Sequence, residues 1–360
     1  VSGIAGSGNA LVGIWNNKGT LLWSYHIWKP REDPNKVLEY AALGGCEVMP
    51  FALGAMEAGR MKANGSLENI DATAGLYYMH GRKDPLGRAD FSKVSGDAGA
   101  CGFIESTMPE EGNAPVEWDT KGADAILTSV KSEYINNYSG DKSYKELVDE
   151  IISMVDANSK EFLIEYATQH PMTTITPAIG SSYWYAADSI YRDRTLWYQT
   201  KSCYDPCPAG YMTAPNKLYR GFLSTATTVI GSDNDGTETS ENVYAGDNSA
   251  INATNAYTMP KAGGYNFRYY GTLDTNKTDF YPAAGYRQSK DGKLLGVTKS
   301  GYYTSYTVSF GASTGYQRIL YFDKDTIRAY RGIDQNACCT NVRCMKIKVF
   351  DDLDNGGGTD

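Results

Sequence analysis

Seven cysteines, three histidines and a handful of paired carboxylates are the residues of this 360-residue chain whose types could do chemistry. The cysteines stand at 46, 101, 203, 207, 338, 339 and 344, an odd number that leaves at least one without an intramolecular partner. Cys203-x-x-x-Cys207 lacks the second pair of a zinc ribbon, and His26, His80 and His170 are too widely spread for a metal-binding His motif. No metal and no cofactor is expected. There is no Gly-x-Ser-x-Gly elbow, phosphate-binding loop or dinucleotide fingerprint. Glu110–Glu111 and Asp351–Asp352 lie in polar segments, where nothing would drive their pKa values apart for acid–base work. The acidic run SDNDGTETSEN (232–242) invites a calcium reading. With Gly236 at position six of an EF-hand loop, however, Gly231 falls first and Asn242 last, so both ends of the template fail. It reads as a solvated loop. The chain is expected to be non-enzymatic, with a cysteine-based site the one catalytic route left open.

Composition narrows the partners. Net charge is −8 and the isoelectric point about 5.1, with Lys and Arg scattered. Nucleic acid and anionic lipid both call for clustered basic charge, so neither is expected as the main partner. No apolar run approaches the roughly 20 residues of a membrane span, so direct membrane insertion is not expected. High Gly, Tyr, Thr and Asn content with few charges suits an exported protein in an oxidising compartment. The start, VSGIAGSGNA, has no Met or signal-peptide core and reads as a fragment or mature form.

The elements that would position these residues follow from patterning. Residues 9–28 predict a β-hairpin turning at Asn16-Asn17-Lys18-Gly19, with Trp15, Trp23 and Trp28 supplying core surface. His26, inside that aromatic run, reads as a hydrogen-bonded structural histidine. After an apolar strand, the charges of the Arg82-Lys83-Asp84-Pro85 corner read as a local ion pair or a ligand patch. Residues 89–140 turn polar and Gly-rich and read as an insertion, with a weak helix at about Ala123–Tyr134. Ser143 and Glu146 have capping-box spacing, and Tyr144, Leu147, Val148, Ile151, Ile152 and Val155 form one apolar helical stripe. Residues 195–215 form a Pro- and Cys-punctuated corner. From Tyr281 to Lys346, short β-like runs alternate with loops rich in Gly, Ser, Thr and Tyr. That mixture suits a contact surface, because tyrosine pairs a rigid face with a polar tip.

Several motifs occur in one order: GNALVGIWNNKGTLLWSYHIW, GLYYMHGRKDP, YDPCPAGYMTAP, YPAAGYR, GYYTS, ILYF and VRCMK. Their succession resembles the major paralogous (FISUMP) domain of Bacteroidetes surface and fimbrial proteins, over about Gly8 to Lys346. The resemblance implies an α+β, C-type-lectin-like fold of mostly twisted antiparallel strands and long irregular loops with one or two helices. The expected organisation is a linker at 1–8, one domain over 9–349 with the insertion at about 89–140, and a flexible acidic tail at 350–360. It also implies that Cys207 pairs with Cys344. The implied function is that of an extracellular, cell-surface or pilus-tip adhesin. Its expected partners are a host or bacterial surface protein or glycan and other pilus subunits.

Departures refine that expectation. The lectin calcium signatures EPN, QPD and WND are missing, so calcium-dependent sugar coordination is not implied. Met49-Pro50-Phe51-Ala52, Met79-His80, Thr304 and Ala337-Cys338-Cys339-Thr340-Asn341 depart from the family pattern. Thr304, Tyr306, Val308, Phe310, Tyr316, Arg328, Tyr330, Arg331, Cys338, Cys339 and Thr340 read as ligand-binding positions on a fixed frame of Gly285–Arg287, Gly301–Tyr303, Ile319–Phe322 and Val342–Cys344. Such a set could be a variable region diversified by a retroelement. Cys203 could instead pair with Cys338 or Cys339. Two other functions remain open: a structural pilus subunit contacting only its neighbours, or an enzyme similar to formylglycine-generating enzymes with Cys338 or Cys339 as reactive thiol.

Overall fold

The computed structural model describes residues 7–18, 20–40, 45–60, 68–88, 131–133, 164–165, 167–169, 171, 173–175, 196–222, 243–245, 263–269, 277–287, 294–310, 315–323, 326–333 and 338–347. Among these the chain is mostly antiparallel β-sheet, with only short helical pieces, α1 (Ile70–Thr73) and the 3-10 helix Asn216–Phe222 named here. The apolar helical stripe after Ser143, most of the 89–140 insertion, the acidic run at 232–242 and the 350–360 tail lie outside the described residues. Of the weaker helix expected at about Ala123–Tyr134, residues 131–133 are described and form a short β-strand (Lys131–Glu133) instead.

The expected N-terminal hairpin forms from β1 (Gly8–Trp15) and β2 (Leu21–Lys29), paired antiparallel. Asn16 closes its turn. The Asn16 Oδ1 accepts from the amides of Lys18 and Thr20 at 2.9 Å each, an Asx turn that holds the reversal. The tryptophans behave differently from expectation. Trp15 is 46% exposed beyond a β-bulge, and only Trp28 packs against the main core, edge-on to Phe51. Trp28 Nε1 also donates to the Ala55 carbonyl at 2.7 Å, fixing the hairpin's inner face on the 51–56 segment.

Next come β3 (Leu38–Tyr40), β4 (Cys46–Val48), β5 (Tyr78–Met79), β6 (Lys131–Glu133), β7 (Thr173–Ile175) and β8 (Tyr211–Thr213). Then follow β9 (Val243–Ala245), β10 (Gly264–Arg268), β11 (Thr278–Pro282), β12 (Tyr286–Arg287) and β13 (Leu294–Leu295). The last five are β14 (Ser300–Phe310), β15 (Gly315–Asp323), β16 (Thr326–Ile333), β17 (Cys339–Val342) and β18 (Cys344–Lys346). One sheet runs β13-β12-β17-β14-β15-β16-β9, with β5 also on β17, and a second runs β3-β4-β18-β8. The parallel exceptions are β14–β17 and β6–β7. Because β17 and β18 are consecutive, the chain's last strands stitch the two larger sheets together.

A disulfide reinforces that stitch. Cys207, just before β8, is bonded to Cys344 at the start of β18, 137 residues away, as the resemblance implied. Cross-linking so long a loop removes chain entropy from the unfolded state worth up to ~5 kcal/mol in the entropic account. The core between the sheets is aromatic. Phe222 of the 3-10 helix stacks on Phe267 at 4.3 Å, and Tyr281, Tyr303 and Phe322 surround them. Burying tyrosine requires partners for its hydroxyl. Tyr303 donates to the Pro282 carbonyl at 2.9 Å and Tyr219 to the Thr304 carbonyl at 3.1 Å.

The VRC motif explains itself here. Arg343 is 1% exposed and donates to Asp279 Oδ1 (3.1 Å), the Phe280 carbonyl (2.7 Å) and the Met49 carbonyl (3.1 Å). Its guanidinium lies 4.2 Å from the Tyr281 ring centre. Burial raises the Asp279 carboxyl to about 6, against the pull of Arg343 and the Tyr40 hydroxyl, which favour its charged form. One ion pair therefore joins β11, the 49–51 segment and the chain's last strands. The frame glycines are equally accountable. Gly285 has φ +70°, and a Cβ there would collide with the Leu295 carbonyl, while at Gly301 it would strike the Phe322 ring.

Candidate functional site

A row of half-exposed side chains crosses the larger sheet. Tyr302 on β14 lies directly opposite Tyr321 on β15, which lies opposite Arg328 on β16. On the other side, Gly285 bridges Gly301, which brings the next residue, Tyr286, beside Tyr302, and Tyr286 pairs with Leu295. The rings follow that register, with centroids 4.6 Å apart for Tyr286–Tyr302 and 5.1 Å for Tyr302–Tyr321. Tyr321 donates its hydroxyl to Asp323 Oδ2 at 2.6 Å, which fixes the ring's orientation. Buried Ile319 and Cys338 pack against the tyrosines. Leu295 is 36% exposed, while Tyr286, Tyr302, Tyr321 and Arg328 are half-buried. The row therefore offers tilted aromatic faces, hydroxyls and one guanidinium on a rigid backing. That is the chemistry of a stacking and hydrogen-bonding surface.

Strand alternation creates it. In GYY, Tyr303 turns inward to the core and Tyr302 outward, and in ILYF, Leu320 and Phe322 turn inward while Tyr321 turns outward. The tyrosines assigned to the folding frame thus include the surface ones. Their doublets, Tyr302-Tyr303 and Tyr321-Phe322, were the signal: two adjacent aromatics on a strand cannot both face one core.

Several expected ligand positions are correspondingly corrected. Thr304, Cys339 and Thr340 are completely buried, and Cys338 and Tyr306 are 5% and 8% exposed. Their side chains are taken up by packing: Gln317 Nε2 donates to the Thr304 hydroxyl, and Cys338 clusters with buried Ile319. At Thr304–Val308 the β14 ladder shifts register, and Tyr306 turns to bond its amide to the Ala214 carbonyl and pack against the Tyr198 ring. Of the expected positions whose side chains are described, Arg328 is the one on the tyrosine row. Val308, Phe310, Tyr316, Tyr330 and Arg331 lie on β14, β15 and β16, but their side chains are outside the described residues.

The cysteines are likewise redistributed. Cys203 is an exposed free thiol, and Cys46, Cys338 and Cys339 are buried and not disulfide-bonded, so the alternative in which Cys203 pairs with the doublet is not the arrangement present. Burial pushes the Cys339 thiol up to about 12, with Cys338 adding to it. It is a packed thiol rather than a thiolate. His26 and His80 are structural in placement, and His170 lies outside the described residues. His26 meets Asn9 Oδ1 at 2.8 Å and the Tyr78 hydroxyl at 3.0 Å, and burial lowers its pKa to about 3. His80 packs on the Trp197 ring, and burial lowers it to about 4. The expected ion pair at the 82–85 corner forms, with Lys83 Nζ 2.7 Å from Asp84 Oδ1 and 2.9 Å from the Ser24 carbonyl.

Among the described residues no group of His, Cys, Asp or Glu is arranged to hold a metal ion, and no helix is long and apolar enough to cross a membrane. No family model, characterised protein or solved structure matches the chain.

Proposed function

We propose that this chain is a non-enzymatic extracellular adhesin, displayed at a cell surface or pilus tip on a C-type-lectin-like fold. It binds a surface protein or glycan through the row Leu295, Tyr286, Tyr302, Tyr321 and Arg328. The observation that carries the reading is that row: three tyrosine rings in succession, Tyr302 in contact with both Tyr286 and Tyr321, on a sheet whose other face is the core. Rigid aromatics lose little entropy on binding, and Tyr and Arg are over-represented among residues that dominate interfaces. The lectin-like fold is supported by the motif order and by the Cys207–Cys344 bond. Retroelement variation, where it occurs, falls on Val308, Phe310, Tyr316, Arg328, Tyr330 and Arg331, because the buried members of the expected set are held by packing.

A thiol enzyme is the weaker reading, since Cys339 is buried and its pKa pushed up to about 12. A pilus subunit that contacts only its neighbours would use the same tyrosine row against another subunit. A glycan array run beside a display library of cell-surface ectodomains, both probed with the full chain, separates these outcomes. The adhesin reading expects a selective ligand that the Tyr302→Ala/Tyr321→Ala protein no longer binds. No binding in either screen, with self-assembly abolished by the same substitutions, would replace it with the subunit reading.

A further inference from the structure

Along the edge of β2 that faces away from β1 lies a cleft of about 670 Å³. Residues 23–28 form one wall, Cys203 and the 205–208 corner form the other, and Leu53 and Lys83 also line it. Successive residues of a strand point to opposite faces, so a groove touched by six in a row runs along the strand's edge rather than over one face. β1 contributes nothing to it.

The backbone on that edge can be followed. In an antiparallel strand the N–H and C=O of one residue point the same way, and those of the next point oppositely. Lys83 Nζ donates to the Ser24 carbonyl at 2.9 Å while sitting 4.4 Å from the Trp23 ring centre, which puts the Ser24 carbonyl on the cleft side. His26 and Trp28 share that parity. Their amides and carbonyls therefore also face the cleft, and no backbone partner meets them there among the described residues. Lys83 covers one end of the edge, and its charge is neutralised by Asp84 at 2.7 Å. The opposite wall cannot complete the ladder at Pro206 or Pro208, which have no N–H to give.

We propose that this cleft takes an extended peptide segment of another protein as a third strand on β2. The hydrogen-bonding pattern selects the occupant: donor–acceptor pairs repeating every second residue, about 6.8 Å apart, match the backbone of an extended chain. A two-stranded ribbon is marginal by itself, and a third strand completes it. The peptide's side chains alternate between Trp28 and Leu53 on one face and Trp23 and Tyr25 on the other. It therefore carries apolar or aromatic residues at alternating positions and needs no charge opposite Lys83. This site is separate from the tyrosine row, and its failure leaves that reading untouched.

The test uses the full chain and an array of N-acetylated, C-amidated hexapeptides with alternating apolar positions. A bound peptide slows amide exchange of His26 and Trp28 at least tenfold. N-methylation weakens it at least tenfold at residues of one parity only, and alkylation of Cys203 with N-ethylmaleimide, mapped by mass spectrometry, has a similar effect. Absence of any binder, or binders indifferent to N-methylation whose complexes leave those amides unprotected, overturns the proposal. So does protection of His26 and Trp28 before peptide is added, which would mean that the chain itself or a second copy fills the edge.

Discussion

The N-terminal hairpin and the β14–β17 sheet are built from the same materials, strands rich in aromatic and β-branched residues, yet they dispose of them in opposite ways. In the hairpin, one face rests on the 51–56 segment and Val12, Ile14 and Tyr25 on the other are about half exposed. In the sheet, Thr304, Cys339 and Thr340 are fully buried, and among the described side chains the row from Leu295 to Arg328 reaches the surface. Residue type alone therefore does not separate contact surface from core. What decides is how many layers and neighbours a strand acquires from distant parts of the chain.

The largest effect that distinguishes the two regions is expected at Arg343. Arg343→Ala strands the buried Asp279 carboxylate and should cost roughly 3–5 kcal/mol, read as the shift in urea midpoint. The change Tyr25→Ser on the hairpin's open face should shift stability by only about 0.5 kcal/mol. Equal losses at the two positions would abolish the contrast.

Replacing Cys207 and Cys344 with Ser removes the link between the β8 corner and the last strand. The expected loss is about 2–5 kcal/mol, measured against wild type under non-reducing conditions. An unchanged midpoint would show that the sheets hold together without the bond.

A pH dependence follows from His80. Burial lowers its folded pKa from 6.5 to about 4, so between those values the unfolded chain binds the proton and the folded one does not. Stability from this group is complete above pH ~6.5 and falls as pH drops toward ~4, by about 3 kcal/mol in all. In His80→Phe the slope over that window should become shallower, with buried His26 still contributing to it; an unaltered slope would assign the acid sensitivity elsewhere.

These contrasts also show how far the sequence could be read. The hairpin was legible because its determinants are local: Asn16 and the residues just after it specify the turn, and the flanking runs specify the strands. The Lys83–Asp84 pair was legible for the same reason. The Cys207–Cys344 bond came through motif resemblance, since spacing alone offers several pairings. The ligand positions were not legible at Thr304, Tyr306 and Cys338–Thr340, because their burial depends on packing against residues elsewhere in the chain, such as Tyr198 and Ala214 at Tyr306, and on a register shift inside β14. Nor was it evident that Tyr302 and Tyr321 face outward while Tyr303 and Phe322 face inward. That choice is made by which face of the sheet meets the helix at Asn216–Phe222, more than eighty residues earlier in the chain.

The most direct measurement compares adjacent tyrosines of the GYY motif, using the ligand identified from the surface screens. Tyr302→Ala should weaken binding at least tenfold while shifting the melting temperature by only a few degrees. Tyr303→Ala should cost about 3–5 kcal/mol of stability through the lost core ring. If Tyr302→Ala binds as wild type does, the tyrosine row is not the ligand face and the central claim fails.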